Sequence, residues 1–151
     1  MFIKIIKINF LIIFFANLVF ADIINNIKIS GNKRISDQTI IVYGDIVLNK
    51  EYNDTELNNI LKNLYKTNFF KTINISVESN TLDLTVEENP IIESITINGI
   101  KKKSLNEQLL SEISLKERTS YIETIFLKDI NLITNIIKKY GYYFVKVENS
   151  K

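Results

Sequence analysis

Apolar and polar residues are arranged along this chain in a pattern that occurs twice. Ile27 and Ile29 flank Lys28 in a short alternating run that passes through Gly31-Asn32-Lys33 to Ser36. Ile95 and Ile97 flank Thr96 in a second run that passes through Gly99-Ile100-Lys101 to Ser104. A period of two sends successive side chains to opposite faces, so each run predicts a half-buried strand. Each Ser stands where its hydroxyl accepts an orphan backbone N–H of a first helical turn. Ser104-Leu105-Asn106-Glu107 has the spacing of a full capping box. Short helices are predicted from Thr39 to Tyr43, stopped by Gly44, and from Leu105 to Ile113.

A longer helix follows in each copy. Asn53-Asp54-Thr55-Glu56 is a helix-start signal, and Leu57, Ile60, Leu61 and Leu64 recur at helical spacing behind it. Phe126, Ile130, Ile133, Ile137 and Tyr140 form the second stripe. Both are predicted to pack on a sheet, where each buried Leu or Ile contributes roughly 1.5–3 kcal/mol. The helices break at Asn68 and Gly141, residue types that tolerate the left-handed conformation of a C-terminal cap. Aromatic residues follow at once. Lys71 to Val77 then alternates with Ile73, Ile75 and Val77 on one face, Ser79-Asn80 turns the chain, and Leu82, Leu84 and Val86 alternate on the way back. That is a hairpin. Phe144 to Glu148 is the outgoing strand of the second copy, and Asn149-Ser150 begins a turn before Lys151.

The chain has four Gly residues, Gly31, Gly44, Gly99 and Gly141, and all fall at predicted boundaries, where backbone freedom is needed. Its one Pro, Pro90, marks the junction of the copies.

The first 21 residues have a different character. Lys4 and Lys7 precede an apolar run through Ile8 and Phe10 to Ala21, with Val19-Phe20-Ala21 suited to cleavage before Asp22. This is the order of a secretory signal peptide. An uncleaved anchor is the competing reading, but the apolar core is only about 14 residues and holds Asn17, whereas a span needs about 20. Cleavage would remove Lys4 and Lys7 and bring the formal charge from +2 to zero.

Composition narrows the chemistry. The chain has no Cys and no His, which removes thiol nucleophiles, imidazole bases, disulfides and most transition-metal sites. A net charge of +2 gives no basic footprint for nucleic acid. Glu87 and Glu88 are neighbours in a strand and point to opposite faces, so they do not converge on a metal. Lys101-Lys102-Lys103 reads as a solvated loop rather than an anion or lipid contact. No cofactor is implied.

One unit therefore runs strand, short helix, longer helix, hairpin. That order resembles the POTRA (polypeptide-transport-associated) domain, and most nearly the first two such domains of outer-membrane protein assembly factors. Ile27 to Ser36, with Gly31, Asn32 and Ser36, looks like the family's opening strand and turn. Leu64 to Ile73 looks like its helix-to-strand motif, with Asn68 where Gly is usual and Phe70 after it. Val86 to Ile95 looks like the acidic-Pro junction around Pro90. Tyr140 to Val147, with Gly141, looks like the second unit's version. Ile100, after Gly99 and before Ser104, departs from the family's Asn.

The resemblance implies an α+β fold of tandem βααββ domains, each a three-stranded mixed sheet packed on two helices. It sets a signal peptide at 1–21, a first domain at 22–89 and a second at 90–151 that lacks its last strand. The chain is accordingly expected to be an N-terminal fragment without the family's membrane barrel, and the Phe144 to Glu148 strand is expected to fray. The implied role is binding, not catalysis, at the periplasmic face of the outer membrane. Its partners would be unfolded outer-membrane proteins, periplasmic chaperones and assembly lipoproteins, with membrane contact through the barrel. In the family's sheet the outgoing hairpin strand lies at an edge, where open backbone groups accept an added strand. Here that puts the contact on the main chain of Lys71, Thr72, Ile73, Asn74, Ile75 and Ser76; the competing reading is a solvated edge blunted by Lys71 and Glu78. A two-partner secretion transporter, a membrane-anchored cell-division protein and a small exported enzyme with converging carboxylates are the alternatives.

Overall fold

A computed structural model describes residues 23–144 of the chain. The expected targeting segment, residues 1–21, lies outside them, as does all but the first residue of the strand expected from Phe144 to Glu148.

The first unit contains β1 (Ile23–Ile24), β2 (Asn26–Ser30), α1 (Asp37–Gly44), β3 (Lys50–Glu51), α2 (Asp54–Lys66), β4 (Phe70–Glu78) and β5 (Thr81–Glu88). Its sheet has the order β2-β5-β4. The return strand β5 is central, parallel to β2 with Ile29 opposite Leu84 and antiparallel to β4 with Ile75 opposite Leu84. The expected alternation now has a cause. Leu82, Leu84 and Val86 are buried because β5 lies in the middle of the sheet, and they meet Ile40, Ile60 and Leu64 from the helices. Phe70 and Ile73 complete the same core from β4.

Local signals account for the boundaries. Ser36 caps α1 by accepting the Thr39 N–H, and Asn53 and Glu56 form a reciprocal capping box on α2. Asn68 ends α2 with φ +61°, and Ser79 and Asn80 turn the hairpin with φ +48° and +62°. Such paired positive values match the twist of a two-residue hairpin. Gly31 has a tighter requirement: a β-carbon there would run into the Val86 carbonyl. The pairing of β1 with β3 was not anticipated, because two residues are too short to show alternation; it seats Ile24 fully in the core.

The second unit contains α3 (Lys103–Glu112) and α4 (Glu123–Lys139). Leu105, Leu109, Ile113, Ile133 and Ile137 form its core, with Ile95, Ile97 and Ile100 packed against it. Two expectations fail here. Ile95 to Ile97 joins no ladder among the described residues, although its two Ile side chains are half-buried as the alternation required. In the first unit the equivalent strand pairs with β5, and no described segment of the second unit occupies that place.

Ser104 is the other failure. It does not cap α3 and makes no capping box with Glu107: the helix begins at Lys103, Lys102 holds the cap position, and no side chain caps it. The preceding loop explains the shift. Asn32 donates its amide to the Ile35 carbonyl and the Asp37 carboxylate, shaping the approach to Ser36. Ile100, in the matching place, has no such donor. Among the described residues no helix is long and apolar enough to cross a membrane.

Candidate binding edge and the junction between the units

β4 lies at one edge of the three-stranded sheet, as the resemblance implied. Its side chains divide by face. Ile73, Ile75 and Val77 turn to the core, Asn74 and Ser76 to solvent. Lys71 donates to Glu87 at 2.8 Å and Thr72 donates to it at 3.2 Å, and the Lys71 bond holds the Glu87 carboxyl below its usual range. The register shifts between Phe70 and Thr72, so Lys71 sits at an irregularity.

The backbone divides as well. In an antiparallel pair, alternate residues turn both their N–H and C=O toward the partner strand, and those between turn them away. Ile73 donates its N–H to the Tyr65 hydroxyl at 3.0 Å, away from β5. By the same alternation Ile75 and Val77 present their main chain outward, whereas Thr72, Asn74 and Ser76 use theirs toward β5. Of the six residues, Ile73 and Ile75 therefore turn their main chain outward, and Val77 beyond them does the same. β2 is the sheet's second edge, and Lys28 on it pairs with Asp83 at 3.1 Å.

Glu87 and Glu88 diverge, as adjacent strand residues must. Glu88 reaches under the loop after β2. One of its oxygens accepts the N–H groups of Lys33, Arg34 and Ile35 at 2.7, 2.8 and 2.9 Å, and the other meets Arg34 Nε at 3.0 Å. Burial alone pushes this carboxyl up, but the N–H groups of Ile35, Lys33 and Arg34 and the guanidinium outweigh it and hold it below its usual range. The second unit ties a different loop with Asp129, which is buried and accepts from Ser114 and Leu115 at 2.9 Å each. Neither clamp was legible in the chain, because each depends on residues far apart in sequence. Tyr65 was missed for the same reason; it lies just outside the apolar stripe of α2 and gives no local signal.

At the junction, Asn89 is buried and bonded on three sides. Its N–H donates to the Phe69 carbonyl, its side chain to the Asn68 carbonyl, and its own carbonyl accepts from Arg34. Pro90 then presents its carbonyl to Tyr121, and Ile91 bridges to Ser120. A hollow of about 540 Å³ opens here, lined by Phe69, Ile91, Leu115 and Ile122 with Arg34 and Arg118, and no carboxylate is among its lining residues. Among the described residues there is no cluster of three or more metal-ligating side chains. Gly99 and Gly141 have φ of +87° and +90° with open space around them, so their turns are set by backbone conformation and not by crowding.

Comparison with known proteins agrees with this architecture. Residues 90–151 match the POTRA family model, described as a surface antigen variable number repeat. The outer membrane protein assembly factor BamA of Neorickettsia risticii is 29% identical over 60% of this chain and 12% of its own length. BamA of Neisseria meningitidis serogroup B is 36% identical over 52% of this chain and 10% of its own. The chain thus spans only about a tenth of these relatives. In fold it resembles the N-terminal domain of Omp85 from Thermosynechococcus elongatus, with a TM-score of 0.53, 14% identity and coverage of 80% of this chain and 53% of that one. POTRA1-2 of Omp85 from Anabaena gives 0.50, 10% identity and coverage of 85% and 86%. The two helices on a mixed sheet with a central return strand, the POTRA match over residues 90–151 and the similarity to assembly factors agree: the chain resembles the POTRA region of BamA-type outer membrane protein assembly factors.

Proposed function

We propose that this chain is the periplasmic POTRA module of an outer-membrane β-barrel assembly factor, and that it holds extended segments of unfolded outer-membrane proteins by strand addition along β4. The observation that carries the reading is the outward main chain of Ile75 and Val77 at a sheet edge. Unpaired N–H and C=O groups in register are matched by another extended backbone, whatever its side chains. A binder built this way accepts many clients with little sequence preference, which suits a protein that receives a whole class of unfolded chains. It needs no catalytic group.

In this reading residues 1–21 direct export and are removed before Asp22, residues 22–89 and 90–151 are tandem units, and chaperones and assembly lipoproteins meet the same periplasmic surface. The matches to assembly factors support the setting.

Titration of the isotopically labelled protein with a peptide from an unfolded outer-membrane protein tests the binding. Amide shifts concentrated at Ile75 and Val77 are expected. Shifts confined to α1 and α2 would sink the strand-addition reading. N-terminal sequencing of the exported product, with Asp22 first, is the expected mark of cleavage.

A further inference from the structure

We propose that the Tyr65 hydroxyl sets the register of strand addition on β4, by closing the Ile73 end of the edge and leaving Ile75 and Val77 as the docking positions. The inference rests on the strand-addition reading and adds a residue that governs it.

An edge amide has no ladder partner and is ordinarily satisfied by water, which an incoming strand displaces at little cost. Ile73 is different. Its N–H is already taken by a side chain of its own domain, the Tyr65 hydroxyl at 3.0 Å. Tyr65 lies in the last turn of α2, next to the buried Leu64, so the helix that packs on the sheet also delivers the phenol to the strand edge. The residue is 44% exposed, so burial alone does not pin it; the bond to Ile73 fixes the hydroxyl. A second feature lies at the same end. The register shift between Phe70 and Thr72 breaks the regular spacing of outward groups just before Ile73. Regular outward main chain therefore begins at Ile75. A strand added to β4 gains a bond to Ile73 only by evicting the hydroxyl, so the favoured register stops short of it and runs toward the Ser79-Asn80 turn.

The test uses the labelled protein and a short soluble peptide of alternating valine and threonine with lysine ends. Amide exchange of the free protein is measured first, then the amide shifts on titration, in the wild type, Tyr65→Phe and Tyr65→Ala. In the free wild type the Ile73 amide is expected to be protected, with exchange about tenfold faster in Tyr65→Phe. On titration the wild-type footprint is expected at Ile75 and Val77, extending to Ile73 in Tyr65→Phe with affinity about three- to tenfold tighter, the equivalent of one freed hydrogen bond. A role in stability alone predicts a less stable Tyr65→Phe with an unchanged footprint, which would overturn the proposal. Extension in Tyr65→Ala but not in Tyr65→Phe would also overturn it, because the ring and not the hydroxyl would then be the stop. A wild-type footprint that already includes Ile73 overturns the register role while leaving strand addition intact. No β4 shift in any of the three proteins overturns strand addition, and the role of Tyr65 with it.

Discussion

The two units carry matching hydrophobic stripes but hold them in place differently. Aligned at their left-handed helix ends, Asn68 and Gly141, the second helices superpose Ile60 on Ile133 and Leu64 on Ile137, and all four are buried. A buried stripe on the second helix is thus common to both. The ladder is not. In the first unit the central strand β5 bonds β2 and β4 together, and its last residue, Glu88, reaches back to gather the loop before α1. In the second unit Ile95 and Ile97 lie against the helices without a described strand beside them. Among the described residues no carboxylate clamps the loop after Gly99, and its helix starts before the serine that should have capped it. The central strand therefore does two things at once: it completes the sheet, and it carries the group that shapes a loop more than fifty residues away.

The largest expected effect tests the ladder itself. Hydrogen exchange should find the Leu84 amide slower than that of Ile97 by at least roughly a thousandfold, since central-strand amides open only with the whole unit and an amide outside any ladder exchanges locally. Equal protection at the two places would erase the contrast between the units.

Glu88 comes next. Replacing it with Ala leaves three loop N–H groups and a guanidinium without their acceptor and should cost the first unit about 2–4 kcal/mol in denaturant unfolding. Because the folded carboxyl titrates below its ordinary value, its contribution is complete above the unfolded range near pH 4.3 and is lost as pH falls through the lower folded value. Stability measured from pH 6 downward should therefore fall more steeply in the wild type than in Glu88→Gln. Asp129→Ala, which frees two N–H groups in the second unit, should cost about 1–3 kcal/mol. A larger loss there than at Glu88 would mean that the second unit, not the first, depends more on its clamp.

The smallest effect separates the two serines. Ser36→Ala removes a working cap and should cost about 1 kcal/mol, whereas Ser104→Ala should change stability by less than about 0.5 kcal/mol. Equal losses in thermal unfolding would show that Ser104 caps its helix after all.

Much of this was written in the chain. Period-two alternation at Leu82, Leu84 and Val86, helical spacing at Leu57, Ile60 and Leu64, and the left-handed residues Asn68, Ser79 and Asn80 are local features, each decided by backbone sterics or by which face meets water. In the first unit they determined the two helices, the hairpin, their order and most of their boundaries. The hairpin was equally plain, because two neighbouring strands with a two-residue turn have one way to pair. What the residues did not disclose were the contacts between distant segments. Glu88 beneath residues 33–35, Asp129 beneath Ser114, Asn89 between Asn68 and Arg34, and Tyr65 on the edge amide of Ile73 all join groups that no local period links. The direction of each β4 backbone group was hidden for a related reason: a sequence shows which side chains alternate, but not which neighbour each backbone group faces. Only the tertiary structure decides that, because an N–H has its partner assigned by whatever strand, loop or side chain the fold brings beside it.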